Sequence, residues 1–214
     1  MKYHIVCLGD SNTHGYCADP RDCADGGNRF NESERWTCLL QAALGPDYLV
    51  LEEGLGGRTT VFADPLHESM DAVSVAYPIL MSHEPVDLLI IMLGTNDTKE
   101  RFNANAAAIA VGMERLIKKC RDTECWGTSG PNILVVCPPP LGDGFHDEVM
   151  GKGCVEKSKA LAPYMRAVAE RNGAACLNAA ECEFNSVDFT HLTRKGHRQL
   201  CDLIYQWIQD QRNR

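Results

Sequence analysis

An uninterrupted apolar run near the middle of the chain constrains the fold more than any other segment. Residues 86–93 read VDLLIIML, with one acidic residue. A strand that is exposed on one face alternates polar and apolar side chains, whereas this run presents apolar side chains to both faces. The run therefore predicts a central β-strand that other elements cover on both sides.

Strand-like and helix-like segments alternate along the rest of the chain. Four further short apolar runs predict strands, at residues 3–8, 48–51, 133–137 and 174–177. Apolar residues spaced three and four apart predict helices, at residues 36–44, 109–117, 161–168 and 200–208. Strands separated by helix-length segments are typical of βαβ units, so we expect an α/β fold with a covered parallel sheet.

The length and the charge of the chain limit its class. With 214 residues it is long enough for one domain, which we expect to span residues 1–214. It has 21 Lys and Arg residues against 29 Asp and Glu residues, a net charge of −8. Nucleic acid and anionic membranes both require a basic surface, so we expect neither as a partner. No apolar segment reaches the roughly 18 residues of a membrane span.

The cysteines and the N-terminal segment favour a reducing compartment. The chain has eleven cysteines, an odd number, and none of them form a CxxC pair. We therefore expect free thiols and a cytoplasmic location. The apolar segment before Gly9 is too short for a secretory leader, which supports the same expectation. A zinc site is the sharper alternative, but no Cys and His cluster has structural-zinc spacing, and we expect no metal.

Two loops that follow predicted strands carry the residues of a serine nucleophile and its base. Active groups of parallel sheets gather at the carboxyl ends of the strands. Gly9-Asp10-Ser11-Asn12 follows the first strand, where a serine can present its Oγ at a helix start. Asp188 and His191 follow the fifth strand, and a carboxylate three residues away can orient an imidazole base. Taken singly, both segments are more typical of helix caps and turns.

Two further loops offer hydrogen-bond donors at the same edge. The side-chain amide of Asn96, in Gly94-Thr95-Asn96-Asp97, can donate to a developing oxyanion, although an Asx-turn is the alternative. Glycines in residues 54–60 would let a backbone N–H approach the same oxygen, with a flexible turn as the alternative. That loop lacks the Gly-Lys-Ser/Thr of a phosphate-binding loop. Together the four loops carry what acyl transfer requires.

The ordered set of these motifs resembles the SGNH hydrolase superfamily, also called GDSL esterases and lipases. The set spans nearly the whole chain and consists of Gly9-Asp10-Ser11, Gly57, Gly94-Thr95-Asn96-Asp97 and Asp188-x-x-His191. The segments EEGLGGRTT (52–60), IIMLGTNDTK (90–99) and VVCPPPL (135–141) look like its arylesterase/acyltransferase branch. The resemblance implies a three-layer α/β/α sandwich around a flavodoxin-like, five-stranded parallel sheet, with no cofactor.

The resemblance also implies a role for each site residue. Ser11 is similar to the family's nucleophile, His191 to its general base and later acid, and Asp188 to the partner of that base. The implied oxyanion hole consists of the backbone N–H groups of Ser11 and Gly57 and the side-chain amide of Asn96.

Two residues depart from the family pattern and are predicted to bind substrate. Asn12 occupies the position of Leu in the Gly-Asp-Ser-Leu motif after which the family is named, and it places a polar group beside the pocket. Arg58 follows Gly56-Gly57, where Ser-Gly-Asp is commoner, and it adds a cation near the site. His197, in the last predicted helix, is expected to be structural.

These residues predict a serine esterase that acts on a small-molecule, short-chain ester of the acetyl type. The chain has no lid-sized insertion to hold a fatty chain, and another alcohol can replace water to give acyl transfer. Residues 16–34 and 141–155 are predicted to form pocket walls or a subunit interface, which leaves a homo-oligomer open.

Three other functions stay open on the sequence. A carbohydrate O-acetyl esterase would share every catalytic residue and differ only in the alcohol. A nucleotide-binding or regulatory module on a flavodoxin-like sheet would rest on the glycine-rich turns alone. A metal-dependent hydrolase would use Asp10, Asp97, Asp188 and His191, because carboxylates at strand ends can bind cations.

Overall fold

A five-stranded, all-parallel sheet forms the centre of the protein, in a computed structural model that describes residues 1–213. Its strands are β1 (Tyr3–Gly9), β2 (Tyr48–Gly54), β3 (Leu88–Met92), β4 (Ile133–Cys137) and β5 (Ala175–Asn178). They lie in the order β2-β1-β3-β4-β5, with Ile5 opposite both Val50 and Leu88. This is the flavodoxin-like order, so the predicted fold class is confirmed.

Within residues 1–213, six α-helices lie between the strands and a seventh follows β5. They are α1 (Ser11–His14), α2 (Trp36–Leu44), α3 (Ala72–Ser82), α4 (Ala106–Arg121), α5 (Cys154–Lys159), α6 (Leu161–Arg171) and α7 (Arg194–Arg212). The sequence pattern missed α3, whose buried positions are Ala72, Ala76 and Leu80. Two of these are small, Pro78 lies inside the helix, and apolar residues also occupy exposed positions such as Tyr77, so neither an apolar stripe nor helix propensity marks the segment.

The central strand β3 faces a different apolar layer on each side. Leu88, Ile90 and Met92 belong to a core cluster with α2 and α7. Leu89 and Ile91 belong to the other cluster, with α3, α4 and α6. Successive side chains of a strand point to opposite faces, which is why an uninterrupted apolar run was needed here. The organisation as one domain stays a prediction.

The carboxyl ends of β1 and β2 come unusually close to the short helix α1. A Cβ atom added to Gly54 would lie 2.2 Å from the backbone nitrogen of His14. Only glycine allows this approach, which holds the turn of Ser11 against the sheet.

Two findings bear on the predicted compartment. All eleven cysteines are free, as the sequence predicted. Among residues 1–213, no helix has the length and apolar character to span a membrane. The cytoplasmic location stays a prediction.

Replacing Gly54 with Ala should destabilise the fold and displace the turn of Ser11. The added methyl group overlaps backbone atoms that cannot rotate away, and such overpacking costs about 1–3 kcal/mol of unfolding free energy. Thermal unfolding measures the loss. Gly27→Ala is the matched control, because a Cβ there meets nothing within 4 Å. Equal melting temperatures for the two variants would contradict the close approach.

Candidate active site

Ser11, His191 and Asp188 form a continuous chain of hydrogen bonds. Ser11 is the first residue of α1, directly after β1, and His191 lies in the loop between β5 and α7. The Oγ of Ser11 lies 2.8 Å from Nε2 of His191, across 180 residues of sequence. The Nδ1 of His191 lies 2.6 Å from Oδ2 of Asp188. The structure thus brings the three predicted catalytic residues together.

The loop around Asp188 keeps that carboxylate ionised. Its Oδ1 accepts the backbone N–H groups of Thr190 at 3.0 Å and His191 at 3.1 Å. Burial raises the pKa of Asp188, but the hydrogen bond and charge of His191 and these N–H groups outweigh it and lower the pKa to about 2. At neutral pH the carboxylate is therefore ready to stabilise an imidazolium.

The predicted oxyanion donors lie near Ser11. Asn96 and Ser11 line the same cavity, and Nδ2 of Asn96 lies 3.5 Å from Oδ2 of Asp10. The turn of Gly56 and Gly57 runs alongside, since a Cβ on Gly56 would lie 3.8 Å from that of Ser11. Gly57 has a φ of 88°, which favours glycine. The oxyanion role of these groups stays a prediction.

Two other carboxylates at this edge are buried. Oδ1 of Asp10 caps α1 by accepting the N–H of Asn12 at 3.0 Å. Asp97 accepts the N–H of Thr60 at 2.9 Å and also its hydroxyl. Burial raises the pKa of each carboxyl to about 6. Neither joins Asp188 and His191 in a ligand set: within residues 1–213, no group of three or more His, Cys, Asp or Glu side chains could hold a metal ion.

The two predicted substrate-binding residues face the protein interior. Asn12 is 2% exposed, and its Oδ1 accepts the backbone N–H of Leu192 at 2.9 Å. Arg58 is 6% exposed, and its Nη1 donates to the carbonyl oxygens of Gly9, at 3.2 Å, and Glu53. Each side chain thus braces a loop through the hydrogen bonds named here, and contact of either residue with substrate stays a prediction.

A small cavity opens in front of Ser11 and His191. Its volume is about 110 Å³. It is lined by Ser11, Thr95, Asn96, Phe145, His146, Asp147, Met150, Asp188, Thr190 and His191. Four of these residues belong to the segment 141–155, which thus forms a pocket wall.

A larger cavity, of about 660 Å³, lies beside Tyr48 and Trp207 at the opposite end of the strands, so cavity size alone does not identify the candidate active site.

Sequence reasoning assigned no individual role to several of the lining residues. Thr95 and Thr190 lie inside motifs whose other residues were singled out, and His146, Asp147 and Met150 were covered only by the predicted wall 141–155. The other predicted wall, residues 16–34, contributes Tyr16. Its ring lies 4.5 Å from the ring of His191 at an angle of 56°. A subunit interface formed by either segment stays a prediction.

A buried ion cluster holds the wall in place. Oδ2 of Asp64 lies 3.0 Å from Nζ of Lys99 and 2.8 Å from Nη2 of Arg101. Nη1 of Arg101 donates to the carbonyl of Val149 at 2.6 Å. Although burial raises the pKa of Asp64, its hydrogen bonds to these two cations hold that pKa well below its usual range.

His197 packs beneath the site as a neutral side chain. Its Nδ1 accepts the N–H of Trp36 at 3.2 Å, and its ring meets the ring of Phe30 edge-on, with the centroids 4.9 Å apart. Burial lowers the pKa of His197 to about 3, and the charges of His191 and Arg35 act in the same direction. The structural role that the sequence predicted fits these contacts.

Comparisons with known proteins agree with this arrangement. A sequence model of the GDSL-like lipase/acylhydrolase family matches residues 7–199. The structure is similar to that of the aryl esterase of M. smegmatis, with a TM-score of 0.86 and 34% identity over 97% of this chain and 99% of that one. It is also similar to a carbohydrate acetylesterase from Sinorhizobium meliloti, with a TM-score of 0.86 and 33% identity over 98% and 99%. A search of curated proteins found no match.

Replacing Asp64 with Asn should destabilise the protein strongly. The change leaves Lys99 and Arg101 without their buried counter-charge, which costs about 3–5 kcal/mol of unfolding free energy. Asp143→Asn is the control, because Asp143 pairs with Lys159 on the surface, where the loss should stay below about 1 kcal/mol. Urea unfolding compares the two, and similar losses would refute the role of the buried cluster.

His197 should make stability fall as the pH is lowered. Between pH 6.5 and about 3 the unfolded chain protonates this histidine while the folded protein keeps it neutral, so the folded state loses stability with each added proton. His197→Gln should flatten the dependence of unfolding free energy on pH by up to roughly 1.4 kcal/mol per pH unit. Asp10 and Asp97 titrate in both proteins, so their contribution cancels.

The matched control for this measurement is His67→Gln, at an exposed position. It should leave the slope of the wild type unchanged. If His197→Gln also keeps the wild-type slope between pH 6.5 and 4, the histidine is not held neutral by burial.

Proposed function

This chain belongs to the GDSL-like lipase/acylhydrolase family and is a carboxylic ester hydrolase, and we propose that it cleaves short-chain, acetyl-type esters through Ser11, His191 and Asp188. The observation that carries the proposal is the hydrogen-bonded chain of these three side chains at the floor of a small cavity. A serine hydroxyl needs such a base, because it is a weak nucleophile at its ordinary pKa.

In the first step Ser11 attacks the ester carbonyl. The hydroxyl proton passes to Nε2 of His191 as Oγ bonds to the carbonyl carbon, and Asp188 stabilises the imidazolium through Nδ1. The oxygen becomes negatively charged and accepts hydrogen bonds from the N–H groups of Ser11 and Gly57 and the amide of Asn96. His191 then protonates the leaving alcohol, which leaves an acyl group on Ser11.

In the second step water or another alcohol takes the acyl group. His191 removes a proton from that molecule, which attacks the acyl carbon, and then returns the proton to Oγ of Ser11. Hydrolysis and transfer differ only in the acceptor, so the balance depends on how readily water enters the cavity.

The size of the cavity favours a short acyl group. Its volume of about 110 Å³ is well below the roughly 300 Å³ at which pockets for drug-sized ligands begin. A short acyl group is therefore favoured over a long fatty chain.

A carbohydrate O-acetyl esterase is the second candidate, because the cavity also carries side chains that can form hydrogen bonds with sugar hydroxyl groups. Outside the triad, Thr95, Asn96, His146, Asp147 and Thr190 are polar and only Phe145 and Met150 are apolar. The similarity to a carbohydrate acetylesterase points the same way. Comparing kcat/KM for acetylated xylose and p-nitrophenyl acetate decides between a sugar ester and an aryl ester.

Ser11→Ala should abolish hydrolysis of p-nitrophenyl acetate. The loss of the nucleophile should lower kcat at least about 1000-fold, since what remains is oxyanion and binding effects. Addition of EDTA should leave the wild-type rate unchanged, because no step requires a cation. Release of p-nitrophenol measures both.

Ser129→Ala is the matched control, since Ser129 lies beside Asn132 at the opposite end of the strands. Its kcat should equal that of the wild type. Activity that survives in Ser11→Ala, or that disappears with EDTA, would refute the serine mechanism and favour a metal-dependent one.

A further inference from the structure

The peptide group that follows His191 is held from both of its sides by buried asparagines. Its N–H, which belongs to Leu192, donates to Oδ1 of Asn12 at 2.9 Å. Its carbonyl, which belongs to His191, accepts Nδ2 of Asn185 at 2.7 Å and the backbone N–H of Asn185 at 2.9 Å. Both asparagines are less than one-tenth exposed.

These contacts join the loop of the nucleophile to the loop of the base. Asn12 is the residue directly after Ser11, and Leu192 is the residue directly after His191. The hydrogen bond between Asn12 and Leu192 therefore joins the same two loops as the one between Ser11 and His191, and both span 180 residues. This second hydrogen bond fixes the distance between the two loops.

Asn185 connects the same peptide group to Asp188. Its Oδ1 accepts the backbone N–H groups of Val187 at 2.8 Å and Asp188 at 2.9 Å. One side chain thus closes the turn that carries the carboxylate and, through Nδ2, holds the peptide that carries the imidazole.

We infer that Asn12 and Asn185 are positioning residues that clamp the His191–Leu192 peptide and so aim the imidazole of His191 at Ser11. Neither asparagine lines the cavity or touches the reacting atoms. The inference rests on the proposed function, because it assigns these residues to the alignment of the same base.

The clamp has a physical reason at this place in the chain. His191 lies outside any helix or strand, and its side chain is only partly buried. A loop without such ties samples several orientations, and a misplacement of about 1 Å can cost a reaction about 100-fold. Two buried amides restrain the backbone without occupying the space in front of the imidazole.

The test compares Asn12→Ala, Asn185→Ala and the double variant in hydrolysis of p-nitrophenyl acetate. Each single variant should lower kcat about 10- to 100-fold and keep KM within about twofold, because the alignment of the base changes and the cavity does not. The double variant should lose less than the product of the two single losses, since both side chains hold one peptide group.

Asn132→Ala is the matched control. Nδ2 of Asn132 also braces backbone carbonyls, those of Asp87 and Ser129, but at the opposite end of the strands. Thermal unfolding should show comparable losses of stability in Asn132→Ala, Asn12→Ala and Asn185→Ala, whereas kcat should fall only in the last two.

Asn185→Asp separates the clamp from the folding of the loop. An aspartate keeps an oxygen for the N–H groups of Val187 and Asp188 but loses the donor to the carbonyl of His191. Its kcat should therefore fall even where its unfolding temperature stays near that of the wild type. This variant also keeps the test decisive if Asn12→Ala fails to fold.

Two results would overturn the inference. One is a kcat for Asn12→Ala and Asn185→Asp that equals that of Asn132→Ala. The other is a double variant whose loss equals the product of the single losses. His191→Ala distinguishes these results from a failure of the proposed function: if His191→Ala retains wild-type kcat, the base itself is misassigned and the clamp fails with it.

Discussion

The hydrogen bond between Ser11 and His191 is the contact on which the rest of the site depends. It joins the end of the first strand to a loop near the end of the chain, at 2.8 Å and across 180 residues. A parallel sheet makes this possible, because the first and fifth strands deliver their carboxyl ends to the same edge. The close approach of α1 to Gly54, the cap from Asp10 and the tie from Asn12 all serve to hold that edge still.

Electrostatics divide the carboxylates of this edge into two groups. Asp188 is held ionised by His191 and by backbone N–H groups, whereas burial raises the pKa of Asp10 and Asp97 to about 6. Carboxyl groups of one site whose pKa values are shifted in opposite directions are typical of groups with different roles. Asp188 faces the imidazole, and Asp10 and Asp97 cap or brace the loops that carry Ser11 and Asn96.

The sequence was most informative where a local pattern determines a local structure. The run at 86–93 predicted β3, and motifs after three strands predicted Ser11, Asn96, Asp188 and His191 at one edge, because the carboxyl ends of parallel strands meet there. The helix α3 was not predicted, because its buried positions are mostly small residues and Pro78 lies inside it, so no apolar stripe stands out.

Side-chain direction is what the sequence could not predict. Asn12 and Arg58 are polar and adjacent to predicted site residues, so contact with substrate was the natural prediction. Their observed partners are backbone groups that only the folded chain brings near: Leu192 for Asn12, and Gly9 and Glu53 for Arg58. The segment 141–155 was predicted as a pocket wall, but its lining residues His146 and Asp147 were not named singly, because no spacing rule connects them to Ser11.

Trapping of the acyl-enzyme would identify the nucleophile of this site. A reaction with p-nitrophenyl acetate is quenched in acid within the first turnovers, digested and examined by mass spectrometry. An acetyl group is expected on the peptide that contains Ser11. The partly exposed thiols of Cys38 and Cys176 should stay free, because burial raises the pKa of each. An acetyl group on another side chain, with the Ser11 peptide unmodified, would exclude Ser11 as the nucleophile.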